Sequence, residues 1–114
     1  MKILLVDDET LLGETLRELL ELVGHEVFYA DHARKAQAIL RERGHEIELA
    51  IVDVILPEIS GPELVVWIKK HYPHIRILCI TGYTPTPEPE PCGSGVPVLF
   101  KPFGLEELKP YLMH

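Results

Sequence analysis

No segment of the chain approaches the roughly 18 consecutive apolar residues that a membrane-crossing helix requires. The first apolar run, ILLV, meets Asp7 and Asp8 too soon to be the core of a signal peptide. A soluble, cytoplasmic protein with no membrane partner is therefore expected. Positive charge is scarce: 11 Lys and Arg face 18 Asp and Glu, a net charge of -7. Such a surface repels nucleic-acid phosphates, so direct DNA or RNA binding is not expected. Cysteine is limited to Cys79 and Cys92, which lack CxxC spacing. With Cys79 inside the apolar run IRILCI and a reducing compartment expected, no disulfide between them is foreseen. The histidines (His25, His32, His45, His71, His74 and His114) are scattered without ligand spacing. No GxGxxG is present, which argues against a bound dinucleotide.

What is present is an alternation of apolar runs and helical patterns. Lys2 to Val6 (KILLV) is a short apolar run ended by polar residues, as in a strand buried on both faces of a parallel sheet. Leu11, Leu12, Thr15, Leu16, Leu19, Leu20 and Val23 then recur at helical spacing, and Gly24 closes that helix. Glu26 to Ala30 reads as strand two, and Ala33, Ala36, Ile39 and Leu40 mark a second amphipathic helix stopping near Gly44. Glu48 to Val52 is strand three, Pro62 to His71 helix three, Ile75 to Ile80 strand four and Val96 to Phe100 strand five. Strands alternating with helices imply right-handed crossovers and a five-stranded parallel sheet with helices on both faces, an α/β architecture. Single cores commonly serve about 100 to 200 residues, so residues 1–114 are expected to form one domain.

Two segments break the pattern. Thr84 to Gly95 (TPTPEPEPCGSG) holds four prolines and two glycines where the fourth crossover helix belongs. Interior proline costs a helix about 3 kcal/mol, so an extended or polyproline-like loop is predicted there. From Leu105 to Met113, Pro110 interrupts a short helical pattern.

In open parallel sheets, ligands bind beyond the carboxyl ends of the strands. The residues there are Asp7 and Asp8 after strand one, Asp53 after strand three, Thr81 after strand four and Lys101 after strand five. If strands one and three are neighbours, three carboxylates converge, and like charges so close must take up protons or recruit a cation. Oxygen-only ligands with room for water suit Mg2+. Such a site lets a phosphoryl group approach a carboxylate nucleophile, with Lys101 and Thr81 placed to bind phosphoryl oxygens. Taken singly, each residue has an ordinary explanation: Asp8 as a helix cap, Asp53 in an Asx turn, Thr81 as a cap, Lys101 as a solvated lysine. Their joint occurrence at one sheet edge favours a site.

At these residues the sequence resembles the response-regulator receiver family of two-component signalling. The matching pieces occur in order: LLVDDE at 4 to 9, IVDVILPEISG at 51 to 61, ITGY at 80 to 83 and FKPF at 100 to 103. The resemblance implies a flavodoxin-like strand order of 2-1-3-4-5. It also implies that Asp53 accepts a phosphoryl group from a histidine kinase or phosphotransfer protein in a Mg2+-dependent step and so switches an interaction with a downstream protein. Asp8 would bind Mg2+ directly, Asp7 would act through the metal's water shell, and Asp53 and the Ile55 carbonyl would complete the site. Thr81 and Lys101 would contact the phosphoryl group, small Gly82 would leave it room, and the Lys101–Pro102 bond would be cis, as is common in the family. The protein would be a phosphoacceptor with at most slow self-dephosphorylation, not an enzyme.

Departures from the family pattern fall on its output side. Val98 stands where the family carries an aromatic switch residue, leaving Thr81 and Tyr83 as switch candidates. Ile55 and Tyr83 are expected to flank the phosphoryl site and obstruct hydrolytic water, and the Pro-rich loop is a candidate switch element. A receiver-like docking module with an atypical output face is the alternative. A Mg2+-dependent phosphatase is disfavoured because Asp7 and Asp8 lack the spaced second aspartate of a DxD pair. A flavin module is disfavoured because the turn DDETLLG is too acidic to cradle a phosphate.

Overall fold

The computed structural model describes residues 1–82 and 91–112. Strands β1 (Lys2–Val6), β2 (Glu26–Ala30), β3 (Leu49–Asp53), β4 (Arg76–Thr81) and β5 (Val98–Phe100) form one parallel sheet in the order β2-β1-β3-β4-β5. The helices among the described residues are α1 (Thr10–Leu22), α2 (Ala33–Arg43), α3 (Gly61–His71) and α4 (Leu105–Leu112).

Side-chain alternation along the strands divides the apolar residues into two layers. Leu4, Val6, Ala50, Val52, Ile77 and Cys79 pack with α2 and α3. Ile3, Leu5, Leu49, Ile51, Leu78 and Ile80 pack with Leu16 and Leu20 of α1 and Leu108 of α4. Because a strand's side chains repeat every second residue, this alternation also fixes where the strand ends aim. Asp7 continues the row of Ile3 and Leu5, Asp53 the row of Leu49 and Ile51, and Lys101 the row of Leu99, all on the α1 and α4 side.

Helix ends follow local chemistry. Gly24 takes φ 97 just beyond α1, a conformation open to glycine without strain. Ser60 caps α3 by accepting the Glu63 N–H, and Pro62 occupies the first turn.

Several sequence-based boundaries shift. Strands β3 and β4 run one residue further and include Asp53 and Thr81, while β5 starts at Val98 because Val96 turns back to donate to the Gly93 carbonyl at 3.3 Å. Pro110 lies inside α4 instead of interrupting it. It forfeits one backbone bond, and the packing of Leu108, Tyr111 and Leu112 on the α1-side core holds the turn together. Of the Pro-rich stretch, residues 84–90 lie outside the described residues, and 91–97 contain no helix.

The expectation of unpaired cysteines is overturned. Cys79 and Cys92 are joined by a disulfide across a sequence separation of 13. Spacing gave no hint of it: Cys79 is fully buried on the α2–α3 side of β4, and the approach to β5 folds back over that face and buries Cys92 against it.

Candidate functional site at the carboxyl ends of the strands

Two of the other four strand-end residues, Asp7 and Asp53, meet at Lys101, and Glu9 joins them. The Lys101 Nζ lies 2.9 Å from Asp53 Oδ2, 3.0 Å from Asp7 Oδ2 and 3.5 Å from Glu9 Oε1. The lysine is far from the solvated side chain that its residue type alone would indicate: it is 9% exposed, between Asp7 at 0% and Asp53 at 5%. The rows described above explain this, since adjacent strands β1 and β3 bring both aspartates to the same face and β5 delivers the lysine from beyond β4.

Each carboxylate has one oxygen fixed by backbone and one turned to the site. Asp53 Oδ1 accepts the Ile55 N–H at 3.0 Å, an Asx-type turn, and Asp7 Oδ1 accepts the Glu9 N–H at 2.9 Å. The two Oδ2 atoms face Lys101; that of Asp7 is buried and makes no aligned hydrogen bond despite its ion-pair distance. Asp8 is exposed at the rim and is not a helix cap, since Glu9 holds that position and makes no side-chain cap bond.

One oxygen from each of Asp7, Asp8 and Asp53 falls in a group spanning no more than 4.8 Å. An all-oxygen, anionic donor set with an orphaned buried oxygen fits a hard divalent cation. Asp8, Glu9, Asp53, Ile55 and Gly82 line a cleft of about 280 Å³ over this group. Ile55, 54% exposed, stands at its edge. Thr81 is buried, and its backbone carbonyl accepts the Lys101 N–H at 2.8 Å, tying β4 to the lysine. The Lys101–Pro102 peptide is cis. Tyr83 lies outside the described residues.

Electrostatics follow from burial. Desolvation raises the Asp53 pKa to about 6, against the opposing pull of the Lys101 hydrogen bond and the Ile55 N–H; the Asp7 charge adds to the rise. For Lys101, burial works against the charged form, but the Asp53 hydrogen bond and the negative charges of Asp53 and Asp7 outweigh it and hold the pKa above the usual lysine range.

Four supporting residues, Tyr29, Gly13, Gly61 and Glu9, escape the sequence reading. Tyr29 donates its hydroxyl to the Asp7 carbonyl. Its ring needs Gly13, where a Cβ would lie 2.5 Å from Tyr29 Cε1. Glycine within a helix costs about 1 kcal/mol relative to alanine, so Gly13 inside a helical pattern was the available signal. Gly61 packs under the Asp53 backbone, where a Cβ would run into the Asp53 carbonyl oxygen. Glu9, the third carboxylate on Lys101, is hidden in sequence as an ordinary acid at the entry to α1.

Comparison with known proteins identifies the class to which this fold and site belong. The response regulator receiver domain family matches residues 3–112. The response regulator protein FleR of Pseudomonas aeruginosa is 38% identical over 82 residues, covering 72% of this chain and 17% of that protein. The sensor kinase CckA of Brucella abortus is 31% identical over 108 residues, covering 93% of this chain and 11% of the kinase. The chain thus spans only a small part of these relatives. Among solved structures, the chemotaxis protein CheY4 of Vibrio cholerae superposes with a TM-score of 0.86 at 30% identity, covering 97% of this chain and 94% of that one. The chain belongs to the response regulator receiver domain family, the receiver units of two-component signalling.

Proposed function

We propose that Asp53 accepts a phosphoryl group from a phosphohistidine on a histidine kinase or phosphotransfer protein, and that residues 1–114 act as one cytoplasmic receiver unit. The observation that carries this reading is the buried Lys101 ammonium held 2.9 Å from Asp53, with the Asp7–Asp8–Asp53 oxygen group beside it. Asp7, Asp8, Asp53 and the Ile55 carbonyl would hold Mg2+. When bound, the ion supplies positive charge that neutralises the carboxylates and the phosphoryl oxygens.

The chain's own residues supply the rest of the chemistry. The Asp53 carboxylate attacks phosphorus; a P–O bond forms as the P–N bond to the donor imidazole breaks, and the electron pair returns to the ring nitrogen. Lys101, already desolvated, exchanges carboxylate contacts for phosphoryl oxygens, and Thr81 contacts a further oxygen from β4. Gly82 leaves the approach open: among the described residues, a Cβ there would meet Lys101 Cδ at an ordinary contact distance of 3.7 Å. The phosphoryl state then alters binding to a downstream protein. The four prolines of residues 84–95 favour an output surface other than one built on a fourth crossover helix.

Incubation with acetyl phosphate and Mg2+, read by intact mass, tests the proposal. One phosphoryl adduct is expected, lost in EDTA and in Asp53→Ala. No adduct, or one that survives in Asp53→Ala, contradicts it.

A further inference from the structure

The segment approaching β5 is fastened to the sheet covalently. In residues 91–96 only Cys92 and Val96 are buried, while Gly93, Ser94 and Gly95 are exposed. The α3 helix, by contrast, covers the same face with Leu64, Val65 and Ile68. Residues 91–96 themselves lay only one buried valine and one disulfide to Cys79 on that face. Cys79 lies two residues before Thr81 on β4, and its N–H donates to the Pro97 carbonyl at 3.0 Å.

We propose that Cys79 and Cys92 form a reversible redox modification site, reduced by a partner dithiol and reoxidised by a disulfide of the same class. The bond is a latch that holds residues 91–96 on the α2–α3 side of β4. Both cysteines are buried, but they differ in what must move to uncover them: Cys79 lies on the central sheet, whereas Cys92 is followed by the exposed Gly93, Ser94 and Gly95, whose local opening bares it. A partner thiolate therefore attacks Cys92 Sγ, the Cys79 sulfur leaves and takes a proton, and the partner's second thiol displaces Cys92 from the mixed disulfide. The sum is one S–S bond broken in this chain, one formed in the partner, and two protons moved to Cys79 and Cys92.

Lys69 of α3 favours this approach. Its Nζ lies 4.0 Å from the point where a side chain on Gly93 would begin, so a cation stands beside the path of an anionic sulfur. Reduction returns Cys79 to the core as a small apolar thiol, which the buried face of β4 accepts. The sheet stays intact while the segment loses its anchor. The inference does not depend on phosphoryl transfer to Asp53.

The test uses the full chain, purified without reductant and then titrated with dithiothreitol under native conditions. Thiols are alkylated in denaturant and counted by mass, and hydrogen exchange is followed by mass spectrometry. The expected result is no alkylation before reduction and two alkyl groups after it. The reduced chain should keep its far-UV circular dichroism, and the amides of residues 92–96 should exchange at least ten-fold faster while those of β1 and β3 are unchanged. Cys92→Ser should exchange like the reduced chain whether or not dithiothreitol is present. Two free thiols before reduction, equal exchange at 92–96 in both states, or global unfolding on reduction would each overturn the latch.

Discussion

Replacing Asp8 with asparagine should make the metal-free protein more stable while abolishing its response to Mg2+. Asp8 contributes one of three carboxylate oxygens that lie within 4.8 Å of one another, and Lys101 already pairs with the other two residues. Two unit charges at 4.8 Å repel by about 0.9 kcal/mol at the dielectric of water and by about 3.5 kcal/mol at an effective value near 20. Asp8 sits at the exposed rim, so the lower end governs each of its two pairs, and its attraction to Lys101 offsets part of the sum. A net gain of about 1 to 2 kcal/mol follows for Asp8→Asn at pH 7.5 in EDTA, which corresponds to a rise in melting temperature of about 4 °C per kcal/mol. With Mg2+ at 100 times its dissociation constant, the wild type should gain about 2.7 kcal/mol by linkage, and Asp8→Asn far less. Urea unfolding followed by the fluorescence of Trp67, the single tryptophan, measures both quantities. An Asp8→Asn protein that is less stable than wild type in EDTA, or that gains as much from Mg2+, refutes the reasoning.

Three further outcomes follow from the same geometry. Without metal, folded Asp53 should titrate near pH 6 in carboxyl NMR. Because the unfolded carboxylate loses its proton near the ordinary value of about 4, the folded state holds the extra proton in between, and stability should fall as pH rises from about 4 to 6 and then level off; Asp53→Asn should lack this slope. Gly61→Ala drives a Cβ into the Asp53 carbonyl. It should cost about 1 to 3 kcal/mol in urea unfolding and slow phosphorylation by acetyl phosphate, and an unchanged rate and midpoint would count against the close packing. Glu9→Gln removes the weakest of Lys101's three carboxylate partners, at 3.5 Å. Phosphorylation by dianionic acetyl phosphate should speed up about two- to five-fold at low salt, with the gain shrinking in high salt as charges are screened; a slower variant would mean that Glu9 is needed to place the lysine.

The fold was legible in the sequence wherever burial on both faces left an uninterrupted apolar run. KILLV and EVFYA match β1 and β2 residue for residue. The site was legible for a related reason: polar residues that end such runs cannot be core, so Asp7, Asp53 and Lys101 stood out and the structure brings them together. Tertiary interactions were not legible. Pro110 reads as a helix breaker, and only the packing around Leu108 shows why the helix continues. Cys92 looks like a loop residue until the chain is folded back over Cys79. Glu9 and Gly61 carry no pattern of their own, and their roles appear only as distances to Lys101 and to the Asp53 backbone.

Transfer of the phosphoryl group to a carboxylate oxygen of Asp53 leaves an acyl phosphate whose position can be read chemically. Treating the acetyl phosphate reaction mixture with borohydride converts an acyl phosphate into a primary alcohol, and peptide sequencing by mass spectrometry then locates it. A single reduced site at position 53, formed only with Mg2+ present, is expected. Reduction at Asp7, Asp8 or elsewhere, or none in a mixture that carries the adduct, would contradict it.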